Sequence, residues 1–196
     1  MPTVPYPRRT LLPALLFLCL AAQARAATLE GVVFPDSYPV EGETLVLNGV
    51  GLRTLTIFHV KIYVAGLYLL RPSHDAAQIL SSPGPKVVVM EFLHAGSKAD
   101  VEKEYRKGEE ENCGDGECDP ADRADFERLI AAAPGVQPGD TYTYIVTDSG
   151  VQLLHNNKPV IALANKDLGY RILAGFIGNH PPSPELRREL LGLAPE

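Results

Sequence analysis

Apolar positions alternate with polar ones through the first half of the chain and recur at helical spacing in later stretches. LEGVVFP (residues 29–35), ETLVLNGVGLR (43–53) and TIFHVKIYVAGLYLL (56–70) read as strands. In the third, Ile57, His59, Lys61, Tyr63 and Ala65 share one face by period two. Phe58, Val60, Ile62, Val64 and Gly66 form the other face, which is the more uniformly apolar. SSPGPK (81–86) reads as a turn, and PKVVVMEFLH (85–94) as a strand rich in β-branched residues.

The period then changes. A helix is predicted from Ser97 through Val101 and Tyr105, breaking near Gly108 or at an acidic loop with two cysteines. Asp119-Pro120 has the form of an N-cap followed by proline at the first helical position. Phe126, Leu129, Ile130 and Ala133 continue that helix until Pro134-Gly135. GDTYTYIVTDSGVQLLHNNKPVIALANKD (139–167) reads as three short strands with turns at Asp148-Ser149-Gly150 and Asn156-Asn157-Lys158. LGYRILAGFIG forms a helix ended by Gly178, and Ser183-Pro184 opens a last one through Leu186, Leu190 and Leu191. Strands and helices are segregated, so the class is α+β with a large, mainly antiparallel sheet covered by helices.

The N-terminus alters where this domain starts. Arg8 and Arg9 precede an apolar stretch from Leu11 to Ala22, with Ala24 and Ala26 at A-x-A spacing. Residues 1–26 therefore read as a signal peptide and 27–196 as one domain. The stretch is shorter than the ~20 residues of a membrane span. Cleavage removes three arginines and no acid, taking the net charge from −6 to −9. An acidic chain with no basic run does not fit nucleic acid or an anionic membrane surface. The expected location is outside the cytoplasm, in a bacterial periplasm, with no stable membrane insertion after cleavage.

In that compartment Cys113 and Cys118 are expected to form a disulfide, helped by Gly114 and Gly116 between them. Five scattered histidines offer no metal-ligand spacing. The acidic run around the cysteines lacks the ordered calcium-loop pattern. Gly49-Val50-Gly51 is no dinucleotide fingerprint, because Thr54 stands at the third glycine position and no helix follows. No cofactor and no metal are implied. Arg53, beside that glycine pair and at the mouth of an apolar strand run, has two readings: an anion clamp at the lip of a cavity, or a surface arginine at a strand edge.

Three segments, NGVGLRTLTIFHVKIYVAGLYLL, GDTYTYIVTDSGVQLLHNNKPV and ILAGFIGNHPPSPELRRELLG, resemble the chalcone isomerase family and its bacterial relatives over about residues 29–192. The resemblance implies an open-faced β-sandwich. It implies either intramolecular cyclisation of a chalcone or the binding of a fatty acid or similar amphiphilic anion. Arg53 matches the family arginine in a G-x-G-x-R setting, and Tyr105 and Asn112 match the enzymes' tyrosine and asparagine in YRKGEEENC. Tyr63 stands where the enzymes carry a threonine, and the ring-reading hydroxyl position falls at Gly175, followed by Phe176. Two polar contacts of the enzymes are thus replaced while the anion clamp is retained. The expectation is a ligand-binding protein gripping a carboxylate through Arg53 and Tyr105, with Tyr63 and Phe176 lining an apolar cleft. An isomerase using Arg53, Tyr105 and Asn112 is the alternative, and an envelope interaction module without a small ligand is the third.

Overall fold

A computed structural model describes residues 26–55, 59–114 and 118–194. The core is a seven-stranded sheet in which each strand pairs antiparallel with the next in sequence. Its strands are β3 (Ser37–Val40), β4 (Glu43–Leu55), β5 (Val60–Leu69), β6 (Lys86–Phe92), β7 (Thr141–Thr147), β8 (Gly150–His155) and β9 (Lys158–Leu163). A separate hairpin, β1 (Ala27–Leu29) and β2 (Val32–Phe34), precedes it. Five helices complete the fold: α1 (Ala76–Ser81), α2 (Lys98–Cys113), α3 (Pro120–Ala132), α4 (Lys166–Ile177) and α5 (Pro184–Leu190). Among the described residues no helix is long and apolar enough to cross a membrane.

The helix boundaries follow local chemistry. Ser97 caps α2 in a capping box with Asp100, and Asp119, Asn165 and Ser183 cap α3, α4 and α5 through their side-chain oxygens. Two expectations change, and one alternative is decided. The stretch 29–35 is two strands, because Glu30 and Gly31 turn with positive φ. Of the two ends open to the helix from Ser97, Gly108 or the cysteine loop, the second is observed, since the helix runs to Cys113. The third strand starts only at Val60, after His59 turns with φ of 51°; Thr56 to Phe58 lie outside the described residues.

The period-two division of that strand holds from Tyr63 to Gly66, and the structure adds what each face meets. Tyr63, Ala65, Leu67 and Leu69 face the main core, under the helices, with Val88, Met90, Phe92, Leu153, Leu173 and Ile177. Val64 and Tyr68 face a second core with Val32, Phe34, Leu45 and Val87, under the β1–β2 hairpin. Phe34 occupies the space above Gly66, where an added Cβ would lie 2.6 Å from its ring. Both faces are buried.

The C-terminal helix docks on β4. A Cβ at Gly49 would lie 2.1 Å from the Glu189 carbonyl oxygen, and one at Gly51 2.9 Å from the Leu186 and Glu189 side chains. Those absences let α5 descend onto the sheet. Asn48 Nδ2 then donates to the Leu190 carbonyl (2.8 Å), and the Leu52 amide donates to Glu189 Oε2 (2.9 Å).

Candidate functional site

Arg53 follows Gly49 and Gly51 on the same face of β4, where the seat of α5 ends. It is directly opposite Tyr63 in the register, so the two side chains are neighbours on the helix-covered face. Arg53 is 8 % exposed. One terminal nitrogen donates to the Thr54 carbonyl (2.8 Å), and no carboxylate pairs with it among the described residues. The nearby Glu189 carboxylate accepts from the Leu52 amide instead. A buried guanidinium with one backbone bond keeps most of its donors available to an anion.

A row of aromatic side chains continues from it. The Tyr63 ring meets Phe92 edge-on at 5.8 Å, and Phe92 meets Tyr142 at 5.2 Å. Tyr105, from α2, contacts the hydroxyl of Tyr144 on β7 through its own hydroxyl. Tyr144 in turn lies 5.9 Å from the Phe176 ring of α4. Arg53, Tyr63, Tyr105 and Phe176 therefore belong to one wall-to-wall row between sheet and helices. Burial pushes the hydroxyls of Tyr63, Tyr105, Tyr142 and Tyr144 above the usual phenol range. At Tyr63 the Arg53 charge opposes that rise without cancelling it, and Glu104 adds to it. The row offers one fixed cation and neutral hydroxyls in an apolar setting. It can grip an anion; it holds no ready phenolate base.

Asn112 lies apart from this row. Its amide donates to the Gly108 carbonyl one turn back in α2 (2.9 Å), and it stands two turns beyond Tyr105, a rise of about 10 Å. Among the described residues, an added Cβ at Gly175 would meet only Asn112 Nδ2, at 3.9 Å. Cys113 and Cys118 are joined, linking the end of α2 to the residue before the cap of α3. Arg106 and Glu127 add a two-pronged ion pair (2.7 and 3.2 Å), and Arg123 donates to the Cys113 carbonyl (2.5 Å). These ties fix α2 against α3 and so fix where Tyr105 points.

Two cavities stand out. One of about 820 Å³ lies between α1, α4 and α5 and reaches Asn112; the other, about 390 Å³, lies between β1 and β4. Arg53 lines neither. Tyr144, Tyr142 and Phe92 were not singled out from the sequence. The signal was present for the two tyrosines, whose period-two spacing in TYTY puts both on one face.

A family profile described as chalcone isomerase-like matches residues 26–192. Among solved structures, the chain is similar to a fatty-acid binding protein of Arabidopsis thaliana, with a TM-score of 0.67 and 13% identity over 85% of this chain and 96% of that one. At that identity the likeness is one of fold. A search of curated protein sequences finds no match.

Proposed function

The chain belongs to the chalcone isomerase-like family, and from that premise we propose that it binds a fatty acid or a similar amphiphilic anion, with Arg53 as the anion clamp. The observation that carries this reading is the burial of Arg53 without a carboxylate partner among the described residues. Burying a cation costs free energy unless an anion joins it, so the site is short of one negative group. Tyr63 and the Tyr105–Tyr144 pair supply neutral donors beside it, and Phe92 and Phe176 supply apolar walls. The structural neighbour, itself a fatty-acid binding protein, adds support from the fold.

The ligand body enters by parting the seam between α2 and the sheet, since the two cavities lie elsewhere. Helix α2 suits that role: it is strongly polar and packs on α3 and α4. Chalcone cyclisation finds less support, because it asks Asn112 to share a substrate with Tyr105 while its amide is bonded to Gly108. The signal-like leader and the Cys113–Cys118 disulfide support export to a bacterial periplasm.

Two experiments test the clamp. The protein, expressed with its own leader, is examined by native mass spectrometry for co-purifying anions, beside Arg53→Ala. Oleate is then titrated into both forms after delipidation. Loss of one charge-assisted contact is expected to weaken binding by ~1.5–3 kcal/mol. Equal affinity in the two proteins removes Arg53 from the site, and no saturable binding in either removes the reading.

A further inference from the structure

Independently of the Arg53 site, we propose that the cavity between α1, α4 and α5 binds a small organic carboxylate with a single ring or a short apolar chain, anchored by Arg187. Arg187 is oriented before any ligand arrives. Its Nε donates to the Ile177 and Gly178 carbonyls (both 2.9 Å), capping the end of α4. Its two terminal nitrogens make no bond among the described residues, and the side chain lines the cavity. A guanidinium held by Nε with its outer edge unoccupied is the donor fork that a carboxylate matches.

The other charges leave Arg187 uncompensated. Arg171, also in the wall, is balanced by Asp122 (3.4 Å) and donates to the Asn112 carbonyl (3.1 Å). Asp75, the only carboxylate of the lining among the described residues, caps α1 by accepting from the Ala77 and Gln78 amides. The lining also carries exposed apolar side chains. Tyr170 is 47% exposed and Leu193 37%, two of the few large apolar side chains left exposed among the described residues, and both line this cavity. Exposed apolar surface gathered beside a fixed cation marks a recognition site rather than ordinary surface. The volume of about 820 Å³ suits a small ligand. Its mixed polar lining, with His180 and Asn112, disfavours a long acyl chain.

The test follows backbone amide NMR shifts during titration with 4-phenylbutyrate, beside its neutral amide, 4-phenylbutanamide. Saturable shifts in α1, α4 and α5 are expected with the carboxylate and not with the amide. Arg187→Gln keeps a donor for the α4 carbonyls, removes the charge, and is expected to weaken binding about tenfold or more. Tyr170→Ala, on the surface, is expected to weaken it by roughly threefold through lost ring contact. Arg53→Ala is expected to change nothing here, which separates this site from the clamp. Shifts that never saturate, equal binding of the neutral amide, or an affinity unchanged in Arg187→Gln overturns the proposal.

Discussion

Arg53 and the tyrosines around it show how burial sets the chemistry of a polar row. A phenol removed from water holds its proton more tightly, because the anion loses its hydration. Tyr63, Tyr105, Tyr142 and Tyr144 are all raised this way, and Tyr68, on the opposite face of the sheet, is pushed up to about 12. Above pH ~10, the ordinary phenol value, the unfolded chain releases protons that the folded one retains. The stabilisation is therefore fully present below about pH 10 and is lost as pH rises beyond it. Denaturant midpoints are expected to hold steady from neutral pH and to fall above about pH 10. The phenolate absorbance of these five residues should appear with unfolding. If it appears near pH 10 while the fold stays intact, the row is wetter than described.

At the scale of elements, the loop between α2 and α3 is the most testable joint. Cys113 and Cys118 are five residues apart and both buried, and their bond fixes the helix that carries Tyr105. Closing so short a loop is worth roughly 2 kcal/mol in the chain-entropy account. Cys113→Ala with Cys118→Ala is expected to lose about that much and to loosen amide-exchange protection in α2 more than in the sheet. Equal protection in both proteins would assign the helix's position to the Arg106–Glu127 and Arg123 contacts alone. The pairing was legible from two close cysteines in a chain with a signal-like leader, and helix starts at Ser97, Asp119 and Ser183 from their caps. Two short elements were not. β3 is four residues containing a proline, and α1 is six residues with one fully buried side chain, Ile79; neither is long enough to show a period. Which face of β5 meets the helices was not legible for a different reason. Helices cover one side of it and the β1–β2 hairpin the other, so apolar residues stand on both and alternation carries no information.

For the molecule as a whole, the glycine pair beside Arg53 shows how far apart cause and motif can lie. Gly49 and Gly51 were read as part of a strand motif, and the strand is there. Their physical reason is α5, some 140 residues later, whose backbone fills the space of a side chain at Gly49 and whose Leu186 and Glu189 side chains fill that at Gly51. Tyr144 escaped notice for the same cause: it meets Tyr105 across 39 residues, a distance that no local pattern reports. The docking can be tested by contrasting two glycines. At Gly49 an added methyl would strike the Glu189 and Leu190 carbonyls at 2.1 and 2.7 Å, both backbone, so α5 would have to move. Gly49→Ala is expected to cost about 1–3 kcal/mol, as overpacking does. The displaced helix would withdraw Glu189 from the Leu52 amide and so weaken oleate binding next door at Arg53. Gly108 is the opposite case, a helix-interior glycine whose added Cβ meets nothing within 4 Å. Gly108→Ala is expected to stabilise by up to ~1 kcal/mol through helix propensity. Denaturant midpoints of both variants, with oleate affinity measured on the same samples, decide it. A Gly49→Ala protein as stable as the parent would mean that α5 does not rest on β4. A stable one with weakened oleate binding would place the effect of Gly49 on Arg53 alone.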